Sequence, residues 1–120
     1  MTSPRRETKP TKTPASRPTK ARLEALVQEA TVDAYDESEQ AVGFLTMIDE
    51  QLAMPFSTTI LGVEVTVERV DVTESDEIVA VCRRARTRQR IPILDLPLPA
   101  PPPAGAEWIE AYGYWRRGYR

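Results

Sequence analysis

From Leu23 to Leu52 the hydrophobic positions recur at a three-and-four spacing, and from Val63 to Val72 at every second position. The chain therefore reads as a helical first half and a strand-forming second half. Ala41, Phe44, Leu45, Ile48 and Leu52 share one helix face, which must meet a core, and Leu23, Leu26, Val27, Ala30 and Ala34 keep the same period upstream. An unbroken helix from Lys20 to Leu52 would run about 50 Å at about 1.5 Å per residue. A body this small cannot cover that length, so a break is expected near Tyr35 to Ser38. Asp36 or Ser38 is then placed to cap the second helix, where the neighbouring carboxylates oppose the positive end of its dipole.

After Pro55 the period becomes two. Val63, Val65 and Val67 share a face, then Val70 and Val72 take over with the opposite parity, which predicts a bulge at Glu68 or Arg69. Gly62 is expected to mark a kink or close approach in the same strand system. Thr73 to Glu77 reads as a turn, Ile78 to Arg84 as a second strand and Arg86 to Arg88 as another turn. Gln89 to Ile93 follows as a strand whose Pro92 places it at an edge or a strand end. Leu94 to Leu98 reads as a short helical turn, and the prolines of Pro97 to Pro103 as extended chain. Trp108, Tyr112 and Trp115 stand at i, i+4 and i+7, the spacing of a short helix with an aromatic face that docks on the body. The expected fold is α+β, with N-terminal helices packed on a small bent antiparallel sheet and a short C-terminal helix.

Charge redraws this picture. The net charge of −2 hides blocks of +6 over residues 1–22, −11 over 23–115 and +3 over 116–120. Residues 1–22 read as a disordered basic arm, since the Pro, Thr, Ser, Lys and Arg of the first nineteen cannot bury enough surface to offset chain entropy. Solubilising, nucleic-acid-binding and intramolecular roles are all open to it. Residues 23–120 read as one domain. With no histidine and Cys82 alone, disulfides within the chain, histidine or multi-cysteine zinc sites and histidine-based triads are excluded. Cys82 lies in the apolar run EIVAVC and reads as a buried small hydrophobe. No apolar stretch approaches the ~20 residues that cross a bilayer, and no signal core follows the basic start. The expected compartment is the cytoplasm.

Two constellations remain. Arg84, Arg86, Arg88 and Arg90 share parity, so on a hairpin they would form a row suited to phosphate or another anion, with nucleic acid as the corresponding partner. Cross-strand pairing with Glu64 and Glu68 is the competing account. The acids fall into three groups, Asp33, Asp36, Glu37 and Glu39, then Asp49 and Glu50, then Asp71, Glu74, Asp76 and Glu77. Calcium is the cation such an inventory suits, because it accepts six to eight oxygen ligands in flexible geometry, but no EF-hand spacing is present and a solvated acidic face explains the same residues. Neither a glycine-rich phosphate loop nor a nucleophile elbow occurs, and the expectation is a protein that is not an enzyme.

The segment VDAYDESEQAVGFLTMIDEQLAMPF resembles the signature of small bacterial calcium-binding proteins first named in cyanobacteria, with its V-D-A-Y, its E-Q and its later acid-acid-x-L-x-x-P-F. VCRRARTRQRIPILDL and AYGYWRRGY resemble that family's strand-turn-strand and closing tryptophan helix, so the likeness covers about Val32 to Tyr119. It implies helices packed on an SH3-like barrel and cytoplasmic, non-enzymatic binding of Ca2+, as buffer or sensor, without an EF-hand. By motif it carries Asp33, Asp36, Glu37 and Glu39 as the main ligands and Asp49 and Glu50 as support. A small-barrel module that recruits a protein or nucleic acid through the arginine row and the basic arm is the alternative.

Overall fold

A computed structural model describes residues 17–118. Residues 1–16, most of the expected basic arm, lie outside the described residues. Helix α1 (Lys20–Thr31) begins inside the span read as arm, with Thr19 accepting the Arg22 N–H as its cap. α1 ends at Thr31 and α2 (Glu37–Gln51) starts at the Asp36 cap, so the expected break exists but lies a few residues earlier than Tyr35 to Ser38, with Ser38 already inside α2. The two helices approach closely because position 43 is glycine: a Cβ there would stand 2.0 Å from the Ala30 carbonyl oxygen.

Strands β1 (Phe56–Ile60), β2 (Val63–Val72), β3 (Ile78–Arg84) and β4 (Thr87–Pro92) form one antiparallel sheet in the order β1-β2-β3-β4. The register of β2 on β3 shifts between Val67 and Arg69, which places the expected bulge at Glu68. β1 was not anticipated as a separate strand, because FSTTI carries too little alternation. Gly62 is a turn residue rather than a kink: Leu61 and Gly62, with φ of 50° and 79°, join β1 to β2, and Ile60 pairs with Val63 across them. Two-residue hairpin turns of this kind need positive φ, which glycine supplies and leucine resists. The β3–β4 turn is Ala85–Arg86, so β4 begins earlier than Gln89.

The sheet is open, not the closed SH3-like barrel that the resemblance implied, since β1 and β4 are edges that do not pair. Beyond β4 the chain passes through a 3₁₀ turn (Ile93–Asp95) into the proline run. Proline has no N–H to extend a ladder. Pro97 instead shields the β1 side, where its carbonyl accepts the Thr58 hydroxyl at 2.5 Å.

One face of the sheet meets the helices. Val70, Ile78 and Ile93 join Leu26, Phe44 and Ile48 in the main core, while Val67, Ala80, Cys82 and Leu96 form a smaller adjoining cluster. Helix α3 (Glu107–Arg116) closes the core as its aromatic spacing predicted. The Tyr112 ring lies 5.7 Å from Phe44 and 6.1 Å from Trp115, and its hydroxyl accepts the Ile78 N–H at 3.0 Å. Arg17 and Arg22 reach across from the α1 side to Glu110 and Glu107 of α3, at 2.8 Å each.

Among the described residues no helix packs on the opposite face, yet Val79 and Val81 are buried there. Val81 pairs with Arg69 and Arg90, and Val79 with Asp71 and Pro92, across the neighbouring strands. The bulge turns Glu68 and Arg69 to the same side, and Glu68 binds Arg83 at 2.5 Å and Arg88 at 2.8 Å. Asp71 takes Arg90 at 2.8 Å, with Arg69 at 3.8 Å. Internal pairing thus explains most of the arginines, with Asp71 in the place expected for Glu64. The row of four does not form: a two-residue turn pairs Arg84 with Thr87, so Arg84 faces the inner side while Arg88 and Arg90 face outward.

Three outcomes follow from this packing. Tyr112→Phe leaves the Ile78 N–H without its partner and should cost about 1–3 kcal/mol in urea unfolding. Leu61→Asn relieves an unfavourable left-handed leucine and should raise stability by about 1 kcal/mol in the same measurement. The Arg88 and Arg83 hydrogen bonds hold the Glu68 carboxyl below its ordinary 4.5. Its contribution is then full above that value and is lost as pH falls through the lower folded one. The difference in urea midpoint between wild type and Glu68→Gln should accordingly be largest at neutral pH and shrink in acid; a difference independent of pH would show that the pair does not act in the folded state.

Candidate metal centre

The acids resemblance singled out sit on two ends of one helix. Asp36 is extended, with φ −133° and ψ 176°, and its Oδ1 accepts the Glu39 N–H at 2.8 Å. Glu39 reaches back to accept the Tyr35 N–H at 2.6 Å. This reciprocal arrangement is a capping box shifted by one residue, and it gives both carboxylates a structural role. Each uses one oxygen. Asp33 lies exposed in the corner before the cap, and Glu37 is exposed in the first turn of α2.

Asp49 and Glu50 are exposed in the last turn of α2. A rise of about 1.5 Å per residue puts them roughly 20 Å from Glu37 along the axis, so they do not share an ion with the corner.

What joins the corner instead is the β2–β3 turn. Hydrogen bonds from the Thr73 N–H to the Glu77 carbonyl and from the Asp76 N–H to the Thr73 carbonyl close it, and Asp76 takes a left-handed φ of 65°. Its Oδ1 then accepts the Ser38 hydroxyl at 3.0 Å. Asp76 and Ser75 face Glu37 and Gln40 across a polar depression of about 540 Å³, with Trp115 and Arg116 at its other wall. The Trp115 ring N–H donates to Gln40 Oε1 at 2.8 Å, which fixes that wall. Sequence reading left the turn as a lesser group, and its acidity and φ-tolerant aspartate were the only signals available. A contact across 38 positions depends on the sheet bringing the turn back over α2.

The donors here are carboxylate, hydroxyl and amide oxygens, a set suited to calcium and ill suited to softer metals. Among the described residues no three metal-ligating side chains converge closely enough to hold an ion together. The chemistry fits calcium, and the geometry supplies separate oxygens rather than a finished cage. Burial pushes the Cys82 thiol up, and Cys82 lies in the sheet cluster, away from these donors.

The chain has no significant match among curated proteins or among solved structures. A family model described as calcium binding, of the CcbP type, matches residues 24–116. That span takes in α1 from its second turn onward, α2, the whole sheet and all of α3, hence both the first turn of α2 and the β2–β3 turn. Calcium is the ion this family binds, and the chain belongs to this calcium-binding family.

Proposed function

We propose that the chain is a cytoplasmic calcium-binding protein, a buffer or sensor rather than an enzyme, and that its ion sits where the first turn of α2 meets the β2–β3 turn. Glu37 and Asp76 would supply the charge, with Ser75, Gln40 and water to complete the coordination and the Asp36 cap beside Glu37; Asp33 and Glu39 line a neighbouring groove and would add to the local field. One contrast carries this reading. Glu68 and Asp71 are neutralised by arginines, whereas among the described residues Asp33, Asp36, Glu37, Glu39 and Asp76 form no ion pair, Arg116 lining the far wall of the depression without pairing with a carboxylate. Uncompensated carboxylates held close together repel one another, and a divalent ion that relieves the repulsion is drawn to them while stabilising the fold by mass action. Among the described residues no helix is long and apolar enough to cross a membrane.

Calorimetric titration of the full chain with Ca2+, at physiological salt and with excess Mg2+, tests this. Saturable binding is expected, with a change in Trp115 emission because that ring lines the depression. Asp36→Asn keeps a good cap while removing a charge, so it should weaken binding roughly tenfold with little change in stability, as should Asp76→Asn. Asp49→Asn with Glu50→Gln should leave the affinity unchanged. If that pair matters and Asp76 does not, the ion sits at the other end of α2.

A further inference from the structure

The inner face of the sheet is covered by helices and by Leu96 only over its Ile78 end and its middle. At the other end Ile60, Val63, Val65, Cys82, Arg84 and Ile91 line an open cleft of about 330 Å³. Its floor is apolar. Leu61 stands beside it, 98% exposed and in the left-handed conformation. A turn that needed only to close would favour Asn-Gly there, so the leucine points to a contact made by this rim. The rim is also cationic. Arg83, Arg88 and Arg90 are neutralised on the outer face, but Arg84 and Arg86 meet no carboxylate among the described residues. Whatever fits this cleft brings apolar side chains together with negative charge.

The chain presents such a segment itself. In the α1–α2 corner Val32 and Tyr35 are 75% and 94% exposed, interleaved with Asp33, Asp36 and Glu37. The corner lies beside the β2–β3 turn, through the Ser38–Asp76 contact, whereas the cleft lies beside the turns at 61–62 and 85–86. Those are opposite ends of β2, whose residues span about 30 Å at roughly 3.3 Å each. One copy cannot satisfy its own cleft.

We propose that a second copy of the chain occupies it, Tyr35 and Val32 of one copy covering Ile60, Val65 and Ile91 of the next while Asp33 and Asp36 face Arg84 and Arg86. Because corner and cleft are different surfaces, the contact either closes when two antiparallel copies make it twice or propagates head to tail. It shares Asp33 and Asp36 with the calcium reading, so it is tested without calcium, where those carboxylates are free to meet the arginines.

Sedimentation velocity of the full chain in EDTA, from micromolar to near-millimolar concentration and at low and high salt, reads the association. The sedimentation coefficient should rise with concentration and fall back with salt. Arg84→Glu and Tyr35→Ser should each weaken association roughly tenfold or more. Leu61→Asn should weaken it too, although that variant is expected to fold more stably. An equal mixture of the Arg84→Glu and Tyr35→Ser proteins should associate better than either alone, since one carries an intact corner and the other an intact cleft. Loss of folding could not produce that recovery. A wild-type chain that stays monomeric overturns the proposal, and any acidic segment the cleft then retains is a heterologous partner's. Association that survives Arg84→Glu also overturns it, and assigns the contact to another surface such as the basic arm.

Discussion

The Tyr112 side chain joins every layer of this fold. Its ring packs against Phe44 of α2, and its hydroxyl accepts the first N–H of β3. Both rings are fully buried. Because that N–H begins the strand running through the middle of the sheet, the register of β3 is tied to the position of α3. Everything the sheet carries, including the β2–β3 turn that approaches α2, is therefore placed relative to the helices by this contact. Trp115 extends the same aromatic cluster to the surface, 5.3 Å from Phe44.

A second constraint governs the charges. An open sheet with helices on one face leaves the other face to water, and here that face carries four arginines paired with Glu68 and Asp71. Exposed ion pairs contribute little singly, but Glu68 bridging two guanidiniums holds a small network in place. Neutralising those acids also divides the surface. The outer face of the sheet is balanced, the corner at the start of α2 remains negative, and the turn at Ala85–Arg86 remains positive. The basic segment entering α1 is partly balanced by Glu107 and Glu110, so the opposite signs of arm and body meet within one molecule at α3.

Most of the elements were legible in the residues, because each rests on a local signal. The parity switch in VEVTVERVDV located the bulge, the acids before an apolar helix face located a cap, and the i, i+4, i+7 aromatics located α3 and its buried side. What failed was pairwise and non-local. The arginine row carried parity through a hairpin turned at Arg86 to Arg88, but the turn is Ala85–Arg86, which pairs Arg84 with Thr87 and changes which residues share a face. The barrel failed because closure depends on β1 meeting β4, and proline-rich chain stands where a further strand would be needed. β1 itself, with one buried threonine at its centre, takes its identity from pairing with β2 rather than from its own pattern. The corner acids and the pair Asp49 and Glu50 are separate groups in the sequence, and α2 keeps them at its two ends. Asp76, one of the third acidic group in the sequence, is brought against α2 only by the sheet.

The way the corner is held bears on how it could take up an ion. Asp36 and Glu39 are fixed by backbone N–H groups, so they cannot swing freely toward a cation without unfastening the start of α2. Glu37 and Asp76 have no such duty, apart from the exposed Ser38 hydroxyl that leans on Asp76. An ion entering the depression would thus meet the two adjustable carboxylates, Glu37 and Asp76, from its lining, on elements whose separation is set by Tyr112. Magnesium demands a near-octahedral shell at short distance and gives up its water reluctantly, whereas calcium tolerates irregular oxygens and variable coordination number. Oxygens that are close but not yet converged favour the larger ion, because the structure need bend only at side chains and one turn to reach it. The N-terminal end of the helix works against the cation, since its dipole presents partial positive charge there. Several uncompensated carboxylates are needed to overcome that field, which gives a physical reason for so dense an acidic cluster at a position where one capping aspartate would have sufficed for the helix.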